Sequence, residues 1–157
     1  MRQWYGMNET HEIKLTIYGT PVTKKNSQRM VYAKGRIIPL PSKAYIDYEK
    51  SAKEQLLGQI GEPMIDYPVN VACTFYMGSR RRVDIGNLIS GIHDILVSAN
   101  VLADDNRDIV AGVDSCRVMY DKQNPRCEVT ITEIENYEQW HKRESEKLPF
   151  EPDDEGE

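Results

Sequence analysis

Apolar residues recur with two different periods along this chain, and the switches between the periods mark its elements. Residues 12–18 (E-I-K-L-T-I-Y) are apolar at every second position, which predicts a half-buried strand ended by Gly19-Thr20-Pro21. Residues 23–34 carry Lys, Arg, Asn and Ser without a period and predict a basic loop, punctuated by Gly35. Ser42 stands where an N-cap belongs, and Tyr45, Tyr48, Ala52 and Leu56 fall near one stripe of a helix running to about Gly58. Gly61 and Pro63 interrupt the chain before a strand over 69–77 with one apolar face. Asp84 is placed to cap a second helix, from Ile85 to about Asn100. In that helix Ile85, Leu88, Ile89, Ile92, Leu96 and Ala99 form a core stripe, and Asp84, Asn87, Gly91, Asp94 and Ser98 the opposite one. Residues 101–106 predict a loop and 109–110 a short extended piece. Residues 115–121 and 126–134 predict two strands around a turn at 122–125. A surface helix is expected over 136–147 and a disordered tail, rich in Pro and acids, over 148–157.

This order predicts an α+β fold: a single mixed β-sheet with two main helices packed on one face, plus a C-terminal surface helix and acidic tail. Residues 1–147 are expected to form a single domain, with 148–157 outside it. No apolar run approaches the roughly 18–20 residues that span a bilayer, and the first residues lack the apolar stretch of a signal peptide. The expectation is a soluble, cytoplasmic protein with no membrane partner. Cys73, Cys116 and Cys127 are odd in number and widely spaced, which excludes a disulfide framework and a CxxC zinc site. His11, His93 and His141 are scattered and receive no chemistry.

The net charge of −5 speaks against a polyanion partner only until it is resolved along the chain. From residue 13 to 46 there are seven basic residues and no acid: Lys14, Lys24, Lys25, Arg29, Lys34, Arg36 and Lys43. From residue 133 to 157 there are ten acids and three bases. Where charge sits matters more for binding nucleic acid than its sum.

Residues 80–108 carry the candidate chemistry. Arg80, Arg81 and Arg82 precede Asp84, a helix follows, and then come Asp104 and Asp105. A 16-residue helix is about 24 Å long, so Asp84 and Asp105 meet only if residues 101–110 return beside the helix start, or if a site is assembled across subunits. Clustered carboxylates with water suit Mg²⁺ or Mn²⁺ rather than zinc, and such an ion activates water at a phosphodiester. Read one by one, Asp84 is equally an N-cap, Asp104-Asp105-Asn106 equally a turn, and the three arginines equally a solvated connection.

Arg80-Arg81-Arg82-Val83-Asp84-Ile85-Gly86-Asn87-Leu88, then Asp94-Ile95-Leu96, then Val101-Leu102-Ala103-Asp104-Asp105 resemble the core signature of the RusA-type Holliday-junction resolvases. Residues 19–29 and 126–132 resemble the family's outer segments, so the likeness spans roughly residues 12–134. It implies a dimeric, Mg²⁺-dependent endonuclease for branched DNA, with no small-molecule cofactor. It carries over Asp84 and Asp105 as catalytic metal ligands, Asp104 as a ligand beside them, and Asn87 as a supporting polar group. The basic side chains expected on DNA are Lys24, Lys25, Arg29, Arg80, Arg81 and Arg82. Two positions depart from the pattern: its second Asp is Gly86 here, and its helix lysine is Ser90. Asp94 is the nearest acid on the same stripe, about 15 Å along the axis from Asp84, and supports the site only through another geometry such as a dimer. Two other functions compete. One is a non-catalytic DNA-binding protein that lost activity through Gly86 and Ser90. The other is a protein-interaction module whose acidic tail mimics DNA.

Overall fold

The structure, a computed structural model, describes residues 11–25, 28–61 and 63–134. The surface helix expected over 136–147 and the tail expected over 148–157 lie outside the described residues. The alternating segment forms β1 (Glu12–Tyr18) and the apolar run forms β4 (Val69–Met77). Ser42 caps α1 (Lys43–Leu57), its side-chain oxygen accepting from the Tyr45 N–H. Asp84 caps α2 (Ile85–Ser98) in the same way, accepting from the Asn87 N–H.

β7 (Arg126–Glu133) lies between β1 and β4 and is antiparallel to both. Along the other edge of β4 run two short parallel strands, β5 (Val110–Gly112) at its start and β6 (Arg117–Tyr120) at its end. The sheet is therefore mixed, and β4–α2–β5 is a crossover between parallel strands. Leu15, Ile17, Val71, Cys73, Phe75, Cys127, Val129 and Ile131 point to one face of this sheet. There they meet Tyr45, Ala52 and Leu56 of α1 and Leu88, Ile92, Ile95 and Leu96 of α2 in one core. The alternate residues, among them Asn70, Thr74, Tyr76, Thr130 and Thr132, line an open polar face. No described helix is long and apolar enough to cross a membrane.

The free edge of β1 is covered by α1. The Gln59 side-chain amide both accepts from the Thr16 N–H and donates to the Thr16 carbonyl, and Gln55 does the same at Tyr18. Two glutamines four residues apart, Gln55 in the last turns of α1 and Gln59 just past its C-cap Gly58, thus stand in for a missing strand and blunt an edge that invites pairing.

Three expectations change. The basic segment is not all loop: β2 (Arg29–Ala33) and β3 (Arg36–Leu40) form a separate antiparallel hairpin. Lys34 (φ 51°) and Gly35 (φ 76°) turn it, both in the left-handed region that a tight two-residue hairpin needs. Next, β6 and β7 do not pair with each other. They flank β4, and residues 121–125 cross its end, where a Cβ on Gly78 would lie 3.1 Å from Pro125 Cγ. Arg126 anchors the crossing by ion pairs of 2.9 Å to Asp121 and 2.9 Å to Glu128, and it stacks over the Tyr76 ring. The Asn124 N–H and the Arg126 guanidinium hold the Asp121 carboxyl below the ordinary carboxylate range. Lastly, Ile95 replaces Ile85 in the core stripe, and Ile85 is exposed at the first turn. Gly91 lies not on a bare polar stripe but under Val22 and Lys24, with its carbonyl accepting from the Tyr45 hydroxyl at 3.3 Å.

Candidate active site

The predicted acids fall at the two ends of α2. Asp84 is exposed at the N-terminus, its Oδ1 3.2 Å from the Asn87 amide nitrogen. Residues 101–110 do not return beside it. The Ile65 N–H donates to the Val101 carbonyl and the Ala103 N–H to the Ile65 carbonyl, which ties this segment to the residues just before β4. β4 and α2 run in opposite directions, so that end of the sheet faces the C-terminal half of α2. Asp105 lies there, in an open cleft lined by Lys24, Glu49, Asp94, Val97 and Ser98. Of the two routes to a joint Asp84–Asp105 site, return within one chain is thus closed by the crossover. Among the described residues of one chain, no group of three or more His, Cys, Asp or Glu side chains comes together to hold a metal.

Each acid has a local setting. Asp104 is a turn residue, its carboxylate accepting from the Asp105 N–H at 2.7 Å and from the Asn106 side-chain amide at 3.1 Å. Asp94 is 2.8 Å from Lys24 Nζ across half-buried surface. The chain reaches this position because residues 20–25 run over α2 at Gly91, where a Cβ would sit in ordinary contact, 3.6 Å, with the Val22 carbonyl oxygen. Lys24 is therefore anchored in the cleft, with part of its charge offset by Asp94, whereas Lys25 is exposed. Arg29 is exposed at the start of β2. Arg80 stacks 4.3 Å over the Tyr120 ring, and Arg81 and Arg82 are exposed on the same connection that ends in Asp84.

Two cleft residues and one buried neighbour of the cleft acids were not singled out from the sequence. Glu49 comes from α1 and Ser98 from the end of α2, joined by a hydrogen bond of 3.4 Å. Only the packing of the two helices brings them together. His93 is the third. Its Nε2 is buried with no hydrogen-bond partner among the described residues. Burial pushes its imidazole below the ordinary histidine value, while Asp105 and Asp94 pull the other way. A histidine beside an acid in the sequence is too common a pattern to have marked this position.

The fold is α+β, and its exposed lysines and arginines on either side of α2 are of the kind that contact phosphates. The profile of the family described as Endodeoxyribonuclease RusA matches residues 19–132, which include both ends of α2, both basic segments and the hairpin. The chain is also 31% identical over 100 residues to the crossover junction endodeoxyribonuclease RusA of Aquifex aeolicus (strain VF5), covering 64% of this chain and 77% of that protein. The chain belongs to the RusA family of endodeoxyribonucleases.

Proposed function

We propose that the protein is a structure-selective DNA endonuclease that hydrolyses phosphodiester bonds at branched DNA, Holliday junctions among them, in cytoplasmic recombination and repair. It works as a homodimer with Mg²⁺, for which Mn²⁺ substitutes. The observation that carries this reading is the family match over residues 19–132, because it contains Asp84, Asn87, Asp104, Asp105 and the six basic residues expected on DNA.

The acids of a single chain do not fit an ion, since Asp84 and Asp105 sit at opposite ends of α2. The reading therefore assembles the ligand set from two copies: Asp84 of one chain with Asp104 and Asp105 of the partner subunit. A two-fold axis makes two equivalent sites at once, and a four-way junction offers two equivalent strands. When bound, the ion supplies an activated water and offsets charge on the phosphodiester. Lys24 and Lys25 on one side, and Arg80, Arg81 and Arg82 on the other, hold phosphates at either end of α2. Asp94 keeps the Lys24 ammonium in place.

Gly86 and Ser90 favour a second reading, a DNA-binding protein on the same fold that no longer cleaves. A panel of four-way junction, fork, flap and linear duplex separates the two. The first reading expects cleavage of branched DNA with Mg²⁺ that EDTA stops, and no cleavage by Asp84→Asn or Asp105→Asn protein that still binds. A gel shift of the junction with no cleavage at any Mg²⁺ or Mn²⁺ concentration would establish the second.

A further inference from the structure

The β2–β3 hairpin is unused by the acidic site, yet it carries the largest exposed apolar side chains of the basic segment. Its register pairs Met30 with Pro39 and Tyr32 with Ile37. Cross-strand partners and alternate residues share a face, so these four lie together on one side of the ribbon. Tyr32 is 75% exposed, Met30 66% and Ile37 63%, and Pro39 is exposed beside them. A separate two-stranded ribbon is at best marginally stable in water, and a bare apolar face of this kind marks a binding surface.

Charge decides what covers it. Arg29 stands at the base of the ribbon, Lys34 and Arg36 at its tip, and residues 13–46 contain no acid. Two copies of this hairpin set face to face would bring like charges together. A polyanion that also offers flat apolar surface satisfies both the rim and the face, and DNA does so where its stacking is interrupted. Tyrosine stacks on an unpaired base, and aliphatic side chains wedge between base steps. The position is also right: four residue steps separate Lys25 from Arg29, so the ribbon starts within about 14 Å of the cleft segment.

We infer that the β2–β3 hairpin is a wedge that inserts Tyr32 and Ile37 at the branch point of a DNA junction, with Arg29, Lys34 and Arg36 on the flanking phosphates. This rests on the proposed branched-DNA reading and gives it a source of structure selectivity.

The test uses a four-way junction carrying 2-aminopurine at the crossover, and a linear duplex of the same arm sequence. The full-length protein is compared with Tyr32→Thr/Ile37→Thr, in which threonine keeps strand propensity at exposed positions. Binding of the unsubstituted protein raises the 2-aminopurine fluorescence. The double variant loses that rise, and its junction affinity falls about tenfold towards the duplex value, the worth of a lost base stack. If the variant keeps both the rise and the preference while the unsubstituted protein prefers the junction, the wedge is wrong and the branched-DNA reading stands. If the unsubstituted protein itself shows no preference for the junction, both fall. Conversion of a dimer into monomers by the double substitution, measured by sedimentation, would instead make the hairpin a self-association arm and overturn the wedge.

Discussion

Asp84 accepts a hydrogen bond from the Asn87 N–H, and an asparagine in its place keeps that bond. Asp84→Asn therefore separates capping from charge: stability stays within about 0.5 kcal/mol while cleavage is lost. Gly86 offers a second separation. A Cβ there would lie 3.1 Å from Asp84 Oδ1, the oxygen that caps α2, but the φ of Gly86 is ordinary, and at an exposed helix start the carboxylate needs to shift only a few tenths of an ångström, which keeps its bond from the Asn87 N–H. Gly86→Ala is thus expected to raise stability in urea denaturation, by up to about 1 kcal/mol from helix propensity. Gly86→Asp is expected to lower the Mg²⁺ concentration needed for cleavage, because ligand charge strengthens binding of a hard cation. A marked loss of stability in Gly86→Ala would mean that Asp84 is locked against the helix start, where a third acid has no room. The capping role of Asp84 could be read from the sequence because a cap is local. The Asp94–Lys24 pair and the buried His93 Nε2 could not: the first depends on which segment crosses α2, and the second on long-range packing.

Elements with a strong period and a clear stop, β1, α1 and β4, lie where the sequence pattern puts them. The misreadings share a cause. Pairing partners are long-range, so nothing local told β6 to run parallel to β4 rather than form a hairpin with β7. In the basic segment, lysines and arginines masked a run of strand-forming residues whose turn is Lys34-Gly35. Residues 20–25 matter most for binding. They form no strand, yet are held over α2 with Thr23 buried and Lys24 paired. Lys24 and Lys25 should consequently differ. Lys25→Glu is expected to weaken junction and duplex binding alike and to reduce the log–log salt slope by roughly 0.9, one phosphate contact. Lys24→Ala releases Asp94 into the cleft and costs affinity through repulsion as well as lost contact, so its effect exceeds that of Lys25→Ala. Equal, salt-independent effects in fluorescence anisotropy titrations would remove this segment from the interface.

At the scale of the whole molecule, the crossover β4–α2–β5 is what sets Asp84 and Asp105 apart. Their separation could be read in outline from helix length. Which end of α2 the following loop visits could not, because it depends on β5 pairing with the start of β4. If the two acids serve one ion, each ion draws them from different chains, and mixing tests this directly. Asp84→Asn and Asp105→Asn proteins are then each expected to be inactive alone. In a mixed dimer, one site receives Asp84 from the second variant and Asp105 from the first and is intact, while the other site lacks both. Random exchange makes about half of the dimers mixed, each with one intact site, so about a quarter of the unsubstituted site concentration returns. A nicked junction is the expected product, since two coordinated cuts need two sites. The assay is Mg²⁺-dependent nicking after the variants are denatured and refolded together. If the mixture stays inactive although sedimentation and tagged pull-down show that mixed dimers form, the composite site is refuted, and Asp105 acts with Asp94 and Glu49 in its own cleft.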